Sequence, residues 1–154
     1  MNLQAGIFIQ STHALKDTVF EDVVIYVTEY NEKGAMGFVI NKIFERSFNE
    51  LEEFKHTANF PMYEGGPVDR EHLYFLHQRP DLIEDGETIA HGIYLGGNLR
   101  QAVEAINDGT IGQNHMKIFV GYCGWDKGEL EAEIEEGSWV VVEGSREMLF
   151  QSYP

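Results

Sequence analysis

The chain has 154 residues, 43% of them hydrophobic, and carries 26 Asp and Glu against 11 Lys and Arg, a formal net charge of −15 at neutral pH. That length fits one domain spanning residues 1–154, in which folding buries roughly two thirds of the surface the unfolded chain exposes, so neither a disulfide nor a metal is needed to hold it together. The charge weighs against direct nucleic-acid contact: such surfaces draw most of their affinity from clustered cations, and the closest pair here, Lys42 and Arg46, makes no patch.

Short runs rich in Val, Ile, Phe and Tyr recur between glycine-bearing turns and predict strands over Gly6–Gln10, Val23–Glu29, Met36–Asn41, Met62–Glu64, Leu73–His77, Gly92–Leu95, Lys117–Tyr122 and Ser138–Glu143. Two of them, at Val23 and at Trp139, lack simple alternation and read as central strands buried on both faces. The segment between Val27 and Gly37 is turn-rich and predicts a hairpin. Ser47 with Glu50 has capping-box spacing ahead of Leu51 and Phe54. Residues 77 to 92 read as the longest irregular connection. Asn98 with Gln101 opens a helix whose stripe is Leu99, Ala102, Val103 and Ile106. Asp126 with Glu129 opens another, with Leu130 and Ile134 inward, Glu129, Glu133 and Glu136 on a solvated face, and Gly137 as its stop. Ser145 caps a last short turn through Phe150. The expected fold class is α+β, with a sheet-dominated core and few helices.

A search for chemistry returns no catalytic, metal or cofactor-binding assignment. The six histidines never fall in H-x-H or H-E-x-x-H spacing, and one cysteine cannot build a structural zinc site. Asp81, Asp85 and Gly86 mimic part of a calcium loop, but Ile83 and Gly92 occupy ligand positions. None of the five serines sits in G-x-S-x-G. The turns Leu95-Gly96-Gly97-Asn98 and Glu64-Gly65-Gly66-Pro67 lack a phosphate-binding fingerprint and read as strand connections. Cys123, at a strand end, reads as a small buried hydrophobe, and a lone cysteine fits a reducing compartment. The amino terminus has no basic region and no apolar stretch approaches the ~18 residues of a membrane span, so the expected location is the cytoplasm.

Four segments stand out together: Gly34 to Lys42, Tyr63 to Val68, Leu73 to His77, and Val120 to Glu133 with Ser138 and Trp139. In order and spacing they resemble the AlgH family of bacterial proteins, from about Gly6 to Phe150. The resemblance implies a mixed sheet with a small closed or bifurcated β-structure surrounded by a few helices. It also implies an association with transcriptional regulation, and it brings no established catalytic residue. The chain departs from the family pattern at Asn41-Lys42-Ile43, where Asn-Arg-Pro is common, and at Phe20-Glu21-Asp22, where a basic residue is common. An anion site built on those cations is not expected here.

The leading expectation is a non-catalytic binding or regulatory module that acts through contact with an unidentified protein partner, without a cofactor and without a membrane. The alternative is an enzyme or small-molecule binder with a cleft near the glycine turns, in which Asn41, His77 and Cys123 converge. DNA-associated regulation is a third, disfavoured by charge.

Overall fold

A computed structural model describes residues 3–154. Its ten strands form one sheet, in the order β10 (Trp139–Val142), β1 (Phe8–Ser11), β2 (Val24–Asn31), β3 (Gly34–Val39), β9 (Met116–Asp126), β6 (Val68–His77), β8 (Ile93–Leu95) and β7 (Glu87–Ala90), with β4 (Ile43–Ser47) and β5 (Pro61–Glu64) branching from it. All pairings are antiparallel except β5 with β9. The organising strand is β9, Met116–Asp126. One edge of it carries β6, Val68–His77, and the other is shared. Along Ile118–Val120 that shared edge pairs with β5, Pro61–Glu64, and along Cys123–Asp126 with β3, Gly34–Val39. The sheet is therefore bifurcated. No ladder among the described residues joins β10 to β7, so the closed alternative is not what forms.

The fork depends on glycine. Gly65 donates its N–H to Val120 O and accepts from Val39 N at the point where β5 hands over to β3. A Cβ on Gly65 would lie 2.4 Å from Gly121 O, and one on Gly66 would lie 2.2 Å from the Tyr122 carbonyl, so no side chain fits where the two backbones cross.

Locally signalled elements form where expected. β1 is Phe8–Ser11, and β2, Val24–Asn31, makes the expected hairpin with β3. Ile25, Tyr26 and Val27 are fully buried, as a central strand requires. Asn98 caps α1, Leu99–Asp108, by accepting from Gln101 N, and Gly109 closes it in the left-handed conformation. Ser145 caps α3, Arg146–Phe150, and Gly137 at φ +88° follows α2, Glu129–Glu135.

Five expectations are corrected. β10, Trp139–Val142, is an edge strand paired only with β1, and Val140 stays 46% exposed; its valine run reflects β-propensity rather than burial on both faces. The Ser47 capping box forms, but it opens two 3-10 helices, Phe48–Glu50 and Glu52–Phe54, because Leu51 between them is extended. Asp126 ends β9 instead of capping α2: its N–H donates to Glu129 Oε1, and Gly128 at φ +82° takes the cap position. The 77–92 connection contains β7, Glu87–Ala90, which pairs with β8, Ile93–Leu95. The fifth is β4, Ile43–Ser47, a strand absent from the expected set: Glu45 and Arg46 interrupt its apolar pattern, and pairing with β5 supplies the order.

Because side chains alternate along β9, one strand feeds three core clusters. Met116, Ile118 and Val120 join Phe48, Phe75 and α1. Phe119 joins Tyr26, Phe38 and Tyr63. Beyond Gly121, Cys123 and Trp125 join β2, Leu130 and Trp139. The first of these clusters is open on one side, and that opening is the candidate site.

Candidate functional site

The opening is an apolar groove of about 850 Å3 between the 3-10 helices and α1. Its floor is the buried Phe75, Met116 and Ile118 of β6 and β9, and its walls include Phe54, Leu99 and Val103. Leu99 is 47% exposed, so the helical stripe read from the sequence faces the core only in part and lines the groove with the rest. Glu52, Glu53 and Glu71 stand at the rim with Arg46 and Arg70, and Arg70 is held by a two-point ion pair to Glu64. The volume lies in the range typical of ligand and segment-binding clefts.

The groove touches one of the glycine turns, Gly96-Gly97, but none of the three polar residues expected to converge lines it. Asn41 is a backbone clamp: Oδ1 accepts from Val24 N and Nδ2 donates to Asp22 O. His77 is fully buried, with Nε2 3.0 Å from Gly96 O and Nδ1 accepting from Arg79 N, a pattern that fixes the neutral Nε2–H tautomer. Burial lowers its pKa, opposed by the bond to Gly96. Cys123 donates weakly to Gly65 O, and burial pushes its thiol up to about 12, so no nucleophilic thiolate forms. The three are packed individually, and the convergent cleft is not formed.

Two polar arrangements escaped the sequence reading. Beside the groove-lining His72 and Tyr74, Asp69, in the left-handed conformation at φ +54°, accepts from the Tyr74 hydroxyl and meets His72 Nδ1 at 2.7 Å. Those bonds lower the Asp69 pKa, Tyr74 foremost, and raise that of His72. Asp69, Glu71 and His72 bring potential ligand atoms within 4.8 Å of one another, which histidine spacing alone could not show.

The second is Lys117. It is 2% exposed and forms no ion pair among the described residues; Nζ donates to Ile40 O and Gln151 O, each at 3.0 Å, and lies 4.0 Å from the Tyr63 ring centre and 4.8 Å from that of Tyr153. Burial lowers its pKa to about 7, while the carbonyls and ring faces favour the charged form. No sequence signal marks it, since both carbonyl partners are distant in the chain.

Glu133 also differs from expectation. Its Oε1 accepts from both Trp125 Nε1 and Trp139 Nε1, so it is a clamp on two buried indoles and not part of a solvated face.

A bifurcated, mostly antiparallel α+β sheet with an apolar groove on one face defines the class. The AlgH-like family profile matches residues 7–154. A UPF0301 protein of Chlorobium limicola is 36% identical over 148 residues, covering 96% of this chain and 79% of the relative. One from Cytophaga hutchinsonii is 32% identical, covering 99% and 84%. The chain belongs to the AlgH-like family. Its fold is similar to the solution structure of the AlgH protein from Pseudomonas aeruginosa, with TM-score 0.77, 25% identity and coverage of 100% of this chain and 85% of that one. A crystal structure of a protein from Corynebacterium diphtheriae shares the fold at TM-score 0.79 and 18% identity, covering 97% and 81%. No helix among the described residues is long and apolar enough to cross a membrane.

Proposed function

We propose that this protein is a cytoplasmic, non-catalytic binding module that acts through protein contacts, with the groove between the 3-10 helices and α1 as its docking surface. The observation that carries the reading is the groove itself: a cleft of about 850 Å3 whose floor is core and whose wall includes the half-exposed Leu99. Such a cleft suits an amphipathic helical segment that presents apolar side chains at helical spacing. The chain's charge of −15 and the rim glutamates favour a segment with basic flanks. A regulatory role would then run through a partner protein and not through DNA, whose phosphates that charge repels.

Fluorescence anisotropy with labelled amphipathic peptides tests this. A basic-flanked peptide is expected to bind, an acidic-flanked one at least about tenfold more weakly. Leu99→Asp, at the first turn of α1 where an acid is compatible with the helix, should abolish binding and leave the melting temperature unchanged. Equal binding of both peptides, or binding that survives Leu99→Asp, overturns the reading. So does turnover of a metabolite by the pure protein when repeated affinity capture recovers no partner.

A further inference from the structure

The sheet curls until its two ends nearly meet, and the seam between them is a second cavity, remote from the groove. Gly6, just before β1, comes so close to the end of β7 that a Cβ on it would lie 2.6 Å from Ala90 Cβ. No ladder closes the gap among the described residues. A cavity of about 700 Å3 runs along it, with Phe8 and Ile93 as apolar walls and Arg146, Glu147 and His91 as polar ones.

Tyr26 of β2 also lines this cavity. It is fully buried, and its hydroxyl is the only buried side-chain polar atom among the described residues that lacks a hydrogen-bond partner. Buried hydroxyls are almost always paired, so an orphan beside a cavity points to an acceptor that enters from it. The hydroxyl lies 3.9 Å from the position a Cβ on Gly6 would take, which places it at the seam between Gly6 and Ala90. Arg146 reaches over from α3: its Nη1 lies 3.4 Å from the Cβ position of Gly92 in the β7–β8 turn, and it forms no ion pair among the described residues.

We propose that the seam binds a small monocarboxylate with an apolar body, the carboxylate accepting from the Tyr26 hydroxyl and pairing with the Arg146 guanidinium while the body packs on Phe8 and Ile93. Burial raises the Tyr26 pKa, so the hydroxyl remains a donor throughout the physiological range. Glu147 beside the same cavity sets the charge class, because a second or third negative charge on the ligand would meet its carboxylate. Tyr26 and Arg146 both come from the β10-β1-β2 end of the sheet and Arg146 reaches the β7–β8 turn, so a bound acid sits where the two ends approach.

The test is a titration of the full chain with octanoate, its neutral isostere octanamide, and citrate, followed in two-dimensional amide spectra. Octanoate is expected to move the Gly6, Gly92, Gly144 and Arg146 amides saturably, with the other two binding at least about tenfold more weakly. Tyr26→Phe and Arg146→Gln should each weaken octanoate about tenfold, as loss of one charge-assisted contact does. Tyr26→Phe removes an unpaired hydroxyl and should leave the melting temperature the same or higher, so its effect on binding reports on the site and not on the fold. The proposal is overturned by the absence of saturable shifts, by shifts confined to the groove around Leu99, or by octanoate binding that survives both substitutions.

Discussion

The two halves of β9 are built on different principles. The half before Gly121 lies between β5 and β6 and buries a charged group, Lys117, against distant backbone carbonyls and two tyrosine rings. The half after it pairs with β3 and buries a thiol and an indole beside a helix that follows within a few residues. In the second half the indole N–H groups have a partner close in sequence, Trp125 and Trp139 both finding Glu133 of α2, while the Cys123 thiol reaches the distant Gly65 O. The indoles of one half are held by a nearby acid and the ammonium of the other by distant carbonyls, and the two differ in how they respond to substitution and to pH.

The half after Gly121 should show the larger effect. Glu133→Ala leaves two indole N–H groups of buried tryptophans without an acceptor, and the expected loss is about 3 kcal/mol in urea unfolding. Glu133→Gln retains an acceptor oxygen and should cost only about 1 kcal/mol. If both variants lost the same small amount, Glu133 would be a solvated residue after all and the contrast between the halves would weaken.

The half before Gly121 should instead respond to pH. The folded pKa of Lys117 lies near 7, well below its value of 10.5 in an open chain. Between those values the unfolded chain binds a proton that the folded chain does not, so stability rises with pH across the window; below 7 the folded state bears the full cost of a buried ammonium. Allowing for the carbonyls and rings that favour the charged form, wild type should gain about 2 kcal/mol relative to Lys117→Met between pH 7 and pH 9, read from paired urea titrations. A constant difference between the two proteins over that range would show that the cage holds the ammonium as well as water does.

This division also explains what was legible in the sequence. The β2–β3 hairpin, the Asn98 and Ser145 caps and the Gly137 stop depend on residues within a few positions of one another, and each formed as expected. Asp126 was misread because Glu129 bonds its backbone from the same spacing a capping box would use. β4 was invisible because Glu45 and Arg46 interrupt an apolar run that only pairing with β5 orders. Lys117 was passed over because Ile40 and Gln151 lie 77 and 34 residues away. The groove was hidden for a related reason. Leu99 and Val103 have the spacing of a core-facing stripe, and nothing local says that the 3-10 helices opposite them stop short.

Cys123 allows the smallest and sharpest test of the half after Gly121. Its sulfur is packed among β2, β3 and Trp125, and burial holds the thiol near 12, far from the thiolate that nucleophilic or redox chemistry requires. Ellman's reagent should therefore fail to label the folded protein at pH 8 and should label it fully once urea unfolds it. Cys123→Ala should cost about 1 kcal/mol, the scale of a small cavity in a packed cluster, with no change in the octanoate or peptide titrations. Rapid labelling of the native protein would place the thiol at an accessible surface and return it to consideration as a nucleophile. Slow labelling at a rate that tracks the unfolding equilibrium would instead tie its reactivity to opening of the sheet, as expected for a residue that serves only to fill space beside the fork.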